Sequence, residues 1–312
     1  MILNGTEIED TFAEAFGMRF VRLLITAEES YWLDAALREF CGDSASVIGC
    51  DAEIGTELWW DPSQTPDGRP GASVLVFGFS VDALQKAVPR RVGQCVMTCP
   101  TTAVFDTLEP TDRRIKVGRH VRFFGDGYQQ SKLWVDRRYW RVPVMDGEFW
   151  VVDEAYVGRG VAGGNIIIQG RTCRVALEAA RRAVEAIAAL PGVITPFPGG
   201  VVRSGSKVGS RYRNLKASTA DAFCPTLRGV VQTRLHPEAN AAYEIVIDGV
   251  DVEHVGRAMG AAIRAACGPG IVRISAGNYG GKLGPYPIPL HQVLQTPSNG
   301  KDANNVTKQA SA

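Results

Sequence analysis

The chain has 312 residues, 45% of them hydrophobic and 21% charged, and its formal net charge is +1. That length allows two lobes with separate cores, and the balanced charge gives no reason to expect nucleic acid or an anionic membrane as partner. No apolar run approaches the ~20 residues that span a bilayer. The early acidic positions Glu7, Glu9 and Asp10 do not suit a secretory leader, so a cytoplasmic protein is expected.

In chain order, Val21 to Ile25 reads as a strand, and Thr26 with Glu29 has the spacing of a capping box. The helix that follows aligns Leu33, Ala36, Leu37 and Phe40 on one face and stops at Gly42. Ala45 to Cys50 is expected to return as a strand. Ser73 to Phe77 then precedes a helix over Val81 to Val88. Strand-like pieces at Arg119 to Phe124 and Arg138 to Val144 suggest an inserted β-arm within the long middle segment.

The same order recurs further along. Asn165 to Ile168 leads into a helix aligning Cys173, Ala176, Ala180, Ala183, Val184 and Ile187, which Pro191 and Gly192 break before a strand at Val193 to Thr195. Tyr243 to Ile247 precedes a helix capped by Asp251, with Val255, Ala258, Met259, Ala262, Ile263 and Ala266 as its apolar stripe. Gly270 to Ser275 closes the set. Two split β-α-β units per half predict an α+β protein of two ferredoxin-like lobes related by an internal repeat. The expected division is an N-terminal lobe with the β-arm over 1–150, a C-terminal lobe over 151–294, and a polar disordered tail over 295–312.

The seven cysteines and four histidines are scattered and contain no Cys-x-x-Cys, so no metal site is expected. Three loops carry polar chemistry. Gly125-Asp126-Gly127-Tyr128 reads first as a turn. Ser204, Ser206 and Ser210, with Arg203, Lys207, Arg211 and Arg213, form either an anion clamp or a solvated basic loop. Ala276 to Gly284 tempts a phosphate-loop reading. However, Ala276 stands where that pattern needs glycine and Leu283 where it needs a hydroxyl. It points to a bulky polar ligand and not to ATP.

Glu244 is the sharpest single residue. Matching the two second helices through Asp82 and Asp251 sets Glu244 opposite Leu75, a carboxyl where the sister lobe has an apolar side chain. A carboxyl amid strand residues is costly unless paired or protonated; the alternative is a Glu that faces solvent.

These segments together resemble the formylmethanofuran–tetrahydromethanopterin formyltransferases, from about Asn4 to His291. The resemblance rests on Ile8 to Phe16, Thr65 to Gly71, Gly93 to Thr98, Phe123 to Tyr128, Gly160 to Asn165, Ser206 to Ser210, Tyr243 to Ile247 and the loop from Ile274 to Gly284. It implies formyl transfer between N5 of tetrahydromethanopterin and the amine of methanofuran. These act as coenzyme substrates, with no metal or permanently bound cofactor. Methanogenic archaea carry the family as a homotetramer. In methylotrophic bacteria a similar polypeptide works with other subunits in a formyltransferase/hydrolase complex running towards formate. The balanced charge and polar tail favour that bacterial version, and an oligomer is expected either way.

By the same resemblance, Glu244 is the catalytic residue, acting as a neutral acid. Gly125, Asp126, Tyr128, Ser206, Lys207, Ser210, Arg211, Asn278, Tyr279, Gly280, Gly281 and Lys282 are the expected substrate-binding residues, with the glycine loops offering backbone N–H donors. A catalytically silent subunit that only binds the pterin or its partner chains is the alternative. Loss of Glu244 would suit that reading better than its retention.

Overall fold

The computed structural model describes residues 1–134 and 136–295. The N-terminal part forms β1 (Ile2–Leu3), β2 (Thr6–Ile8), β3 (Phe12–Thr26), α1 (Ser30–Phe40), β4 (Glu53–Trp60), β5 (Gly71–Gly78), α2 (Val81–Arg91) and β6 (Ala103–Asp106). The middle adds β7 (Arg114–Lys116), α3 (Gly118–Val121), β8 (Gln130–Trp134), β9 (Arg137–Val144), β10 (Gly147–Val152) and β11 (Glu154–Tyr156). Then come β12 (Gly158–Gly170), α4 (Cys173–Ala188), β13 (Val193–Ile194), β14 (Lys207–Val208), β15 (Ala217–Ser218), β16 (Ala241–Gly249), α5 (Val252–Ala266), β17 (Ile271–Ser275), β18 (Tyr286–Pro289) and α6 (Leu290–Val293). The chain is thus mixed α and β. It divides into two compact units, one of residues Met18–Gly160, the other of Met1–Gly17 with the described residues from Val161 onward.

In the unit Met18–Gly160 the order strand, helix, strand, strand, helix, strand is complete. The strands lie β4-β5-β3-β6, all antiparallel. Val21, Leu23 and Ile25 alternate onto one face and bury against Leu33, Leu37, Phe40, Leu84 and Val88 of the helices. Beyond β6, strands β10, β9 and β8 extend the sheet. Leu24, Phe105 and Tyr139 pack with Trp60, Trp134 and Trp150 in a separate aromatic cluster.

The other unit repeats that element order, with strands β13-β16-β12-β17, again antiparallel. β2 joins β17 in parallel, and β18 pairs with the first residues of β3. Small side chains let the two helices share one core. Ala176, Ala179, Ala180 and Ala183 of α4 bury with Ala258, Ala262 and Ala266 of α5, over Ile166, Ile168, Ile245 and Ile247. Period-two alternation then sends Asn165, Ile167 and Glu244 to the face without helices.

Several expectations are corrected. Residues 45–50 form turns, and the strand returns only at Glu53. Arg91 explains this: its guanidinium donates to the carbonyls of Phe40, Gly42 and Asp43 and to the Asp51 carboxylate, so the segment's acceptors are engaged in a turn. Thr26 does not cap α1. Its hydroxyl donates to Asp67 at 2.7 Å, and Glu29 occupies the N-cap without a side-chain bond. Arg119 to Phe124 is helical, α3 followed by a 3₁₀ turn, because the Asp153 carbonyl accepts from the N–H groups of Val117 and Arg119.

The first seventeen residues group with the later unit, where β2 lies on β17 and β18 on β3. The expected tail lies, beyond Gln295, outside the described residues.

Candidate active site around Glu244

Glu244 sits in the middle of β16, directly opposite Ile167 of β12. On its other side its backbone exchanges hydrogen bonds with Val202, the Val202 N–H donating at 2.7 Å and the Glu244 N–H at 3.1 Å. That bridge brings the loop after Val202 across the carboxyl. Two glycines border the carboxyl: a β-carbon on Gly205 would be in ordinary contact, 3.7 Å from one carboxyl oxygen, and one on Gly277 likewise 3.7 Å from the other.

The side chain is half-buried and, among the described residues, receives no hydrogen bond and faces no ion pair. Burial alone pushes its carboxyl up to about 7 from 4.5. A carboxylic acid held near neutrality without a cation can give a proton and take one back.

The sister position is not Leu75. Asp251 caps α5 and accepts from the His254 N–H, whereas the matching cap of α2 is Ser80, which accepts from Ala83. Counting back equally from each cap pairs Glu244 with Ser73. The Ser73 hydroxyl is buried and donates to Glu57, which accepts in turn from Arg22. The asymmetry therefore persists in another form. One unit closes this position with an ion pair, and the other leaves a lone carboxyl.

Of the residues expected at the site, Tyr279 lies within electrostatic reach of Glu244, and Ser206 sits beside Tyr279. Burial raises the Tyr279 phenol, Ser206 beside it opposes that shift, and the carboxyls of Glu244 and Glu14 push it further up. Lys207 pairs with Asp221 and begins the short hairpin β14–β15. Ser210 accepts from the Tyr212 N–H at 3.0 Å, while Arg211 and Lys282 are exposed. Asn278 is turned inward, its amide donating to Thr11 and to the Phe12 carbonyl. Gly280 and Gly281 adopt φ of 71° and 72°, which only glycine takes readily.

Gly125, Asp126 and Tyr128 belong to the other compact unit. Asp126 is left-handed at φ 50° and Tyr128 is 78% exposed.

Two residues were missed. Asn165 clasps Gly277, accepting from its N–H at 2.6 Å and donating to its carbonyl at 3.1 Å. Glu14 receives the N–H groups of Tyr279, Gly281, Leu283 and Gly284. Those four donors are thus committed inside the protein, and not free for a ligand as the glycine pattern implies. An Asn after two glycines and a Glu in an alternating strand give no local signal of partners more than a hundred residues away. Among the described residues, no group of three or more His, Cys, Asp or Glu side chains is arranged to hold a metal ion.

The family model for formylmethanofuran–tetrahydromethanopterin formyltransferase matches residues 1–144, and the model for its proximal lobe matches 147–293. A relative of that name from Methylobacillus flagellatus is 52% identical, covering 94% of this chain and all of its own. A component of the formyltransferase/hydrolase complex of Methylorubrum extorquens is 46% identical over 95% of this chain and 98% of its own. Among solved structures, the Methanosarcina barkeri formyltransferase superposes with a TM-score of 0.90 at 46% identity, covering 94% of this chain and all of that one. The formyltransferase/hydrolase complex from Methylorubrum extorquens, crystallised with methylofuran, gives 0.91 at 45% identity over 95% of this chain and 99% of the matched one. With both halves matched, and with relatives near half identity along their full length, the chain belongs to the formylmethanofuran–tetrahydromethanopterin formyltransferase family.

Proposed function

We propose that the chain moves a formyl group between the amine of a methanofuran-type coenzyme and N5 of a tetrahydromethanopterin-type coenzyme, with Glu244 as its acid and base. The observation that carries the reading is the unpaired Glu244 carboxyl, raised to about 7 by burial. Formyl transfer between two amines begins when one nitrogen bonds to the formyl carbon, and the carbonyl oxygen takes up the π electrons. The tetrahedral adduct then collapses, the carbon–nitrogen bond to the other amine breaks, and that nitrogen needs a proton. Neutral Glu244 supplies it and recovers one from the incoming nitrogen, so the acid is restored. Holding two coenzymes in register contributes the rest.

A catalytically silent scaffold explains the site less well, because nothing in such a role calls for an isolated carboxyl on a sheet face. The two units, each with the order strand-helix-strand-strand-helix-strand and the second strand at one edge, suit ferredoxin-like lobes, with β8–β10 as the inserted arm. Following the methylofuran-bound relative, we place the chain as the transferase subunit of a formyltransferase/hydrolase complex in the cytoplasm. A homotetramer is the alternative. Among the described residues no helix is long and apolar enough to cross a membrane. The direct test is whether the purified chain transfers formyl between the two coenzymes. No transfer, with the coenzymes still bound, would favour the scaffold.

The basic loop, with Ser206, Ser210 and the neighbouring Tyr279, is assigned to the anionic parts of the coenzymes. Asp221 already neutralises Lys207, so Arg211 is the freer charge. Arg211→Ala is expected to raise KM for one coenzyme more than Lys207→Ala does, and the effect should shrink in high salt. Unchanged KM for both coenzymes would leave this loop as a solvated surface.

A further inference from the structure

The loop from Gly277 to Gly284 is folded around an anion that belongs to the protein itself. Successive backbone N–H groups in such a loop form a concavity suited to a carboxylate or phosphate. Here Glu14 Oε2 accepts from the N–H groups of Tyr279 at 2.7 Å and Gly281 at 2.9 Å, while Oε1 accepts from Gly284 at 2.8 Å and from Leu283. Two donors on each oxygen use the carboxylate's full acceptor set. Glu14 is 3% exposed and lies on β3 where β18 pairs with it, so its own position is rigid. Asn165, Thr11 and Phe12 hold Gly277 and Asn278, whereas further along the loop Tyr279 is 38% and Leu283 55% exposed. Gly277 at the loop's start borders the Glu244 carboxyl, and Tyr279 lies within its electrostatic reach.

We propose that Glu14 is a positioning residue for the Glu244 site, an internal anion that folds the loop and so limits the access of water to the reacting carboxyl. This rests on the assignment of Glu244. Glu14 does not itself exchange protons with substrate. Burial works against its charge, but the N–H groups of Gly284, Leu283, Tyr279 and Gly281 together hold it below the ordinary carboxylate range, so it is ionised at pH values where Glu244, raised to about 7, still holds its proton. One carboxyl thereby sets the environment of another. Without Glu14 the segment 279–284 loosens while Asn165 still holds Gly277, and Glu244 becomes more solvated.

Three variants test this. Glu14→Gln keeps the shape but turns an NH₂ towards N–H donors. Glu14→Asp shortens the reach, and Glu14→Ala empties the cradle. In Glu14→Gln, amide exchange at 279, 281, 283 and 284 should quicken without substrate. The pH at which kcat changes should fall by about one unit or more, as Glu244 regains the ionisation of a solvated carboxyl. Millimolar acetate should partly restore kcat in Glu14→Ala by refilling the cradle. A merely structural role would neither move the pH profile nor respond to acetate. If Glu14→Ala does not fold, Glu14→Gln and Glu14→Asp decide the matter. Unchanged loop exchange or an unchanged pH profile in the folded Glu14→Gln protein would overturn the inference. Full activity of Glu244→Gln would instead remove the reading on which it rests, and the substrate-free exchange data separate the two failures.

Discussion

Glu244→Gln is expected to lower kcat by ~10²–10⁴-fold, the usual contribution of a positioned general acid or base. The amide matches the carboxyl in shape and can still donate a hydrogen bond, so a loss of this size would assign proton transfer itself to Glu244. The same substitution should stabilise the protein in alkali. Because the folded carboxyl titrates at about 7 and the unfolded one near 4.5, the folded state binds the proton more tightly between these values. Stability therefore falls as pH rises through that window, and above it the fold carries an ionised, poorly solvated carboxylate. The variant avoids this, so its advantage should be absent at pH 4 and reach up to about 3 kcal/mol at pH 8. Denaturant unfolding at the two pH values reads it directly. A variant of wild-type activity would end the catalytic assignment. Equal stability at both pH values would show that the carboxyl is solvated.

The largest structural effect is expected at Arg137. Its guanidinium donates to Asp106 Oδ2 at 2.6 Å and to the carbonyls of Asp106 and Leu108, and it stacks over the Tyr156 ring, 4.6 Å from its centre. The Asp106 side chain is fully buried and also accepts from the N–H groups of Tyr156 and Leu108. Burial raises its carboxyl above the ordinary range even with Arg137 opposing. Arg137→Met removes the one cation and strands a buried charge, a change that costs about 3–5 kcal/mol. Without the cation the carboxyl rises further, so the loss should deepen with increasing pH and ease as Asp106 takes up a proton. Urea unfolding at pH 5 and pH 8 tests the sign. A variant equally stable at both would mean that the ion pair contributes nothing beyond packing.

Most of the architecture was legible in the sequence because helices and strands announce themselves through periodicity. The stripes on α4 and α5 and the cap at Asp251 needed no tertiary information. Residues 45–50 and 119–124 were misread as strands for one reason: their conformation is fixed by Arg91 and Asp153, which lie far along the chain. Glu244 stood out because a carboxyl inside a strand has few inexpensive environments. Its sister position was misplaced by two residues, since the helices were matched through Asp82 and Asp251, while the cap equivalent to Asp251 is Ser80. The glycine loop was recognised as a cradle, but its occupant was sought outside the protein. Glu14 lies more than 260 residues away, and nothing in its own strand marks it as an anion for that loop.

The central claim is that Glu244 is a carboxylic acid near neutral pH in the folded protein. Infrared titration of the carboxyl band that disappears in Glu244→Gln, followed from pH 4 to 9 without substrate, tests it most directly. The structure predicts a midpoint near 7, with the protonated band strong at pH 6. A midpoint near 4.5, with Glu244 already ionised at pH 6, would contradict it.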